Sequence, residues 1–137
     1  MLKYVLAYAA TAIAFCALDF AWLTLVAPKF YQAQIGALLL EKPNLLPALL
    51  FYALYVAGLV VFCVSPGMQA GQWTRALLLG GLLGLVAYAT YDLSNLATLK
   101  GWTGTLSLVD ISWGVIVSAA ASAIGYGGAL MADRFSG

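Results

Sequence analysis

Four apolar stretches, each long enough to cross a bilayer, constrain this chain more than any other feature. They run over about residues 4–27, 45–64, 76–99 and 106–131. About 20 apolar residues in a helix cover the roughly 30 Å hydrocarbon core of a membrane. Inside that core every backbone N–H and C=O needs a partner from the protein, which a helix supplies. Composition points the same way. Of the 137 residues, 64% are hydrophobic and 8% are charged, where a soluble domain carries about a quarter charged. Such a chain has too few polar groups to cover itself in water. The expected fold is all-α, a single integral membrane four-helix bundle filling residues 1–137.

The boundaries follow from the polar punctuation. The first run begins after Lys3 and outlasts the apolar core of a signal peptide, about 15 residues at most, so it reads as an uncleaved span. Ile13-Ala14-Phe15-Cys16 resembles a lipoprotein cleavage box only superficially, because Phe15 is too large for it. Pro28 and Lys29 end the span. Residues 30–42, between Pro28 and Pro43, place Tyr31, Ile35, Leu38 and Leu39 at helical spacing. This segment is too short to cross, and reads as a short interfacial or re-entrant helix between the first and second spans, with a plain loop as the alternative. Pro47 falls in the first turn of the second span, where a missing N–H costs little. Ser65-Pro66-Gly67 is expected to stop that span. Residues 68–75 then form a connector whose Trp73 and Arg75 suit a headgroup layer. Lys100-Gly101-Trp102-Thr103-Gly104 is a tight turn.

Small residues mark the packing faces. Gly80, Gly81 and Gly84 open the third span, and Gly114, Ser118 and Ser122 recur every four residues in the fourth. Such faces let helices approach closely, and they also offer a surface for homo-oligomers. Several function classes fall away. The formal net charge is +1, which argues against a nucleic-acid partner. The chain has no His, so it lacks the commonest metal ligand and general base. Cys16 and Cys63 lie in apolar runs and read as small buried hydrophobes. No Lys lies within a span, which removes a Schiff-base pigment. No metal or cofactor is expected; the lipid bilayer is the expected partner.

Three carboxylates interrupt the apolar runs: Asp19, Asp92 and Asp110. Each would cost about 3 kcal/mol facing lipid. At 1.5 Å per residue they lie about 12, 10 and 6 Å inside the membrane from one and the same side. Tyr52 and Tyr55 of the second span reach that level too. Asp19-Phe20-Ala21-Trp22, Asp92-Leu93-Ser94-Asn95 and Asp110-Ile111-Ser112-Trp113 share one spelling, an Asp with a ring or amide three residues on. Positions i and i+3 share a helix face, so Asp19 is expected beside Trp22, Asp92 beside Asn95, and Asp110 beside Trp113. Tyr88 and Tyr91 join the Asp92 face. With no intramembrane counter-charge, such a cluster shares a proton or binds a cation.

The leading expectation is a site for a proton, a cation or a polar small molecule, in a transporter-like or sensor-like bundle. Asp19, Asp92, Asn95 and Asp110 would form it, lined by Trp22, Tyr52, Tyr55, Tyr91 and Trp113. A membrane enzyme acting on a lipid through carboxylate acid–base chemistry is the second reading, without a nucleophile–base pair to support it. A structural or assembly subunit is the third.

The chain also resembles the domain-of-unknown-function 2177 family of small bacterial membrane proteins. The resemblance rests on Lys29-Phe30-Tyr31 with Ile35-Gly36, on Leu50-Phe51-Tyr52 with Tyr55-Val56-Ala57-Gly58, and on Val109-Asp110-Ile111-Ser112-Trp113-Gly114. Its most specific part is Thr90-Tyr91-Asp92-Leu93-Ser94-Asn95-Leu96-Ala97-Thr98 with Lys100-Gly101-Trp102. It implies a multi-spanning protein of a bacterial inner membrane and no particular activity. Lys and Arg are balanced between the two sides, and the N-terminal amine tips both termini towards the cytoplasm.

Overall fold

The computed structural model describes residues 1–136, which form an antiparallel bundle of apolar helices. The elements are α1 (Leu2–Leu25), α2 (Ala27–Ile35), α3 (Leu45–Leu59), α4 (Ser65–Ala70), α5 (Trp73–Thr98) and α6 (Gly104–Ser136). Four helical runs are long and apolar enough to cross a membrane: α1, Leu45–Ala70, α5 and α6. Leu54, Leu78, Leu82, Ile116 and Phe20 are largely exposed on the outside of the bundle. In water this would be costly; against lipid tails it is neutral.

Prolines and glycines place the breaks, though not always where the sequence suggests. Pro28 lies in the first turn of α2 rather than after the first span. It cannot donate back to the preceding turn, and the chain kinks at Val26, whose own N–H still reaches Trp22. Helix α2 then runs nine residues and tightens into a 3₁₀ turn at Gly36–Leu38. Residues 39–44 are not helical, so the expected helix over 30–42 begins and ends earlier. Pro43 disfavours a helical residue before it.

Ser65-Pro66-Gly67 does not stop the second span. Five residues of π-helix, Val60–Val64, precede Pro66 and join α3 to α4 without a break. The wider turn routes the Ser65 N–H to the Val60 carbonyl, so the proline enters without breaking the run. Gly67 serves a close approach instead. A Cβ there would stand 2.8 Å from the Ala76 Cβ of α5. The span ends four residues later at Gly71, in the left-handed conformation. The connector expected over 68–75 therefore shrinks to Gly71 and Gln72, and Trp73 already belongs to α5. At the other tight turn, the Thr103 hydroxyl caps α6 by accepting the Leu106 N–H at 3.0 Å.

Helix α6 is the centre of the bundle. Half of its most apolar stretch is buried, against 22–28% for the other three spans. It packs antiparallel against α1 on one side and α5 on the other, and Phe15, Val56, Leu59, Cys63, Val117 and Ala121 form the core between them. Cys16, by contrast, is exposed on the outer face. The small-residue ladders of α5 and α6 meet each other. Gly80 lies against Ser118 and Ser122, Gly84 against Gly114 and Ser118, and the Tyr88 ring fills the space that Gly114 leaves. These faces are used up within one chain and are not open to a second copy, contrary to the oligomer surface expected of them.

The α5–α6 seam yields a direct test. A Cβ on Gly84 would lie 2.8 Å from the Ser118 Cβ, so Gly84→Ala should push the helices apart. Overpacking of this kind costs about 1–3 kcal/mol. Gly127→Ala, where no atom lies within 4 Å, should be neutral. Reversible unfolding of the two variants in mixed micelles measures the difference, and equal stabilities would contradict the seam described here.

Candidate functional site

The polar groups gather at the end of the bundle away from the termini, where α2 folds across α6. Asp19 is nine-tenths buried. It accepts hydrogen bonds from the Tyr52 hydroxyl of α3 and from the Trp113 indole N–H of α6, the latter at 3.1 Å. Asp110 accepts from the Tyr31 hydroxyl of α2 at 2.6 Å, and that hydroxyl accepts from the Trp22 indole N–H at 3.0 Å. The expected pairs within each helix are therefore exchanged. Trp113 serves the carboxylate of α1, and Trp22 serves that of α6 through Tyr31. The two indoles stack face to face, 4.6 Å between centroids and 7° from parallel. The exchange follows from placing the same Asp-x-x-Trp spelling on two antiparallel helices: three residues are about 4.5 Å along an axis, and they run in opposite directions in α1 and α6, so each Trp comes level with the other helix's Asp.

Tyr31 is the residue that periodicity alone misplaces. In the sequence it sits on the apolar side of a short interfacial helix, yet in space it reaches Asp110, 79 positions on. Burial, then the bond to Asp110, holds its phenol well above the ordinary value. It keeps its proton and remains a donor. The kink before Pro28 turns α2 back over the bundle, and a bond from Thr103 to Gln34 fastens it to the start of α6.

Two cavities flank Asp110. The larger, about 350 Å³, is walled by Asp19, Asp110, Trp22, Trp113, Tyr31, Tyr88, Tyr91 and Phe51, with Leu23 and Ala87. The smaller, about 180 Å³, lies between α2, α5 and α6 and is walled by Asp92, Asp110, Tyr31, Tyr91 and Trp102 with Ile35, Leu39 and Leu106. Neither wall includes a Lys or Arg. Asp92 is fully buried, and no donor lies against either of its carboxyl oxygens. The group it faces is the Asp110 carboxyl. The three carboxylates thus form two pairs that share Asp110 rather than one cluster. Among the described residues no three acidic, Cys or His side chains converge as a metal cage.

The remaining expected residues divide. Tyr91 borders both cavities and sets its ring edge-on to Trp102. Tyr52 acts through Asp19. Tyr55 is turned into the core, bonded to the Ser118 hydroxyl at 2.7 Å and packed on Phe15. Asn95 lies beside Tyr91, half-buried, and borders neither cavity. Its expected pairing with Asp92 does not form, because Asp92 turns towards α6. Tyr88, expected on the Asp92 face, instead borders the larger cavity with Asp19 and Asp110, while Phe51 and Trp102 enter the walls without a site signal in the sequence beyond their aromatic character.

The Asp19 cluster makes a clear prediction. Asp19→Leu should cost more stability than Asp19→Asn, since leucine leaves the Tyr52 and Trp113 donors unpaired, a penalty of about 1–3 kcal/mol each. Thermal unfolding of the two variants in one detergent measures it. Equal losses would remove the hydrogen-bonding role given to this carboxylate.

The sequence model of a family described as "Predicted membrane protein (DUF2177)" matches residues 4–127. No curated protein and no solved structure matches the chain.

Proposed function

The chain belongs to the DUF2177 family of predicted membrane proteins, a description that gives a location and no reaction, and from its site we propose that it binds a small organic cation. The carrying observation is the larger cavity, where Asp19 and Asp110 share the wall with six aromatic rings and no basic group. Aromatic faces attract cations, by about 2 kcal/mol or more each when desolvated. Carboxylates supply the balancing charge. The volume of about 350 Å³ suits a solute the size of a quaternary ammonium and is smaller than most drug-sized sites. The cavity serves a carrier-like or sensor-like membrane protein.

Choline is a suitable probe, with 3,3-dimethylbutanol as its uncharged isostere. Choline should bind the detergent-purified protein at least about tenfold more tightly than the alcohol, a difference of about 1.4 kcal/mol. Asp110→Asn should remove most of that preference. Equal binding of both molecules in titration calorimetry would overturn the cationic reading. Choline uptake into proteoliposomes then separates a carrier, which accumulates it, from a sensor, which does not.

We also place the protein in a bacterial inner membrane with both termini in the cytoplasm. The support is the N-terminal amine, added to Lys3, Arg75 and Arg134 against Lys29, Lys42 and Lys100. The site would then open towards the outer side. Lys100→Cys should react with an impermeant maleimide in intact cells, and protection until lysis would reverse the orientation.

A further inference from the structure

Asp92 poses a problem that the larger cavity does not answer. Its side chain is fully buried, and both carboxyl oxygens lack a donor. A carboxylate in that position would forfeit all of its hydration, at a cost of several kcal/mol. The neighbouring polar groups can be taken element by element. Helix α2 offers the Tyr31 hydroxyl, already committed to Asp110. Helix α5 offers Tyr91 at the cavity wall, and Tyr88 lies on the far side of Asp110, in the larger cavity. Helix α6 offers Asp110 itself, and the Ser107 hydroxyl, which points to the Asp92 backbone carbonyl at 3.4 Å. Helix α1 offers Asp19, across the larger cavity, and α3 offers Tyr52, bound to Asp19. Lys100, the nearest basic residue in sequence, is exposed in the turn and borders neither cavity.

Two carboxyl groups that face each other form a hydrogen bond only when one of them carries a proton. Without it they repel in a medium of low dielectric. We propose that Asp92 and Asp110 share one exchangeable proton, and that a cation entering the larger cavity beside Asp110 displaces it. This rests on the cation reading above for its second half alone. The charges balance: one positive solute enters, one proton leaves to water, and the pair passes from singly to doubly ionised. Tyr31 and Asp110 border both cavities, so the proton site and the solute site have a wall in common. Asp110 is the residue that both claim.

Infrared spectroscopy of the full chain in liposomes tests the proton directly, without any solute. Wild type should show the carbonyl stretch of an undissociated carboxylic acid at neutral pH. Asp92→Asn should lose it, Asp92→Glu should shift it, and Asp133→Asn, outside the site, should leave it unchanged. The absence of the band in wild type, or its survival in Asp92→Asn, overturns the shared proton. Choline titration with proton counting tests the exchange. One proton should appear per choline bound, and affinity should rise about tenfold per pH unit where the pair titrates, with both effects lost in Asp92→Asn. Choline that binds without releasing a proton overturns the exchange. An acid band with no choline binding sinks the cation reading and leaves the proton pair standing.

Discussion

Everything at the α2 end of this bundle depends on how two carboxylates in hydrocarbon obtain donors. A helix satisfies its own backbone but cannot easily satisfy its own aspartate, because side chains on one face point the same way along the axis. Asp19 and Asp110 solve this across the α1–α6 seam. Trp113 donates to Asp19, and Trp22 donates through Tyr31 to Asp110. The stacked indoles lock the two helices in the one register that allows both exchanges. Tyr52 of α3 and Tyr31 of α2 donate their hydroxyls to Asp19 and Asp110. Four separate elements are therefore tied to one level of the membrane by two acids.

The cavities follow from that arrangement. The Trp22–Trp113 stack fills the α1–α6 seam at the level of the acids with large rings, whereas the α5–α6 seam of Gly80, Gly84, Gly114, Ser118 and Ser122 is a close approach of small residues. Large side chains at one end and small ones at the other leave unfilled space beside the aromatic end. Helix α2 covers part of it, fastened by Tyr31 and Gln34. Acids, rings and empty volume coincide at this end, and the proposed site lies there. The opposite end, with Ala7, Val64, Ala76 and Ala129, is packed shut.

The two acid pairs differ in how they are satisfied. Asp19 has two donors. Asp110 has one, and its remaining capacity faces Asp92. Asp92 has none. Along this series the donors fall from two to none, and the group left without any is the one with no exposed surface. The proposed proton on the Asp92–Asp110 pair would meet that deficit without a basic side chain, and neither cavity wall holds a Lys or Arg.

Much of this was written in the chain itself. Hydrocarbon admits only self-satisfied helices, so four apolar runs determined four spans, and a carboxylate in each of three runs determined a polar level near one side. Those are local consequences of length and polarity. The partners of each acid were not local. The repeated Asp-x-x-Trp spelling suggested pairing within a helix, and only the antiparallel docking of α1 on α6 showed that the pairs cross. Tyr31 looked like part of an interfacial stripe until the kink before Pro28 brought α2 back over the bundle. Pro66 looked like a stop until a π turn absorbed it. Asn95 looked like a partner of Asp92 until Asp92 turned to Asp110. Only at Pro66 is the deciding bond local, from the Ser65 N–H to the Val60 carbonyl; elsewhere the deciding contact joins residues far apart in sequence, and periodicity carries no record of which face of one helix meets which face of another.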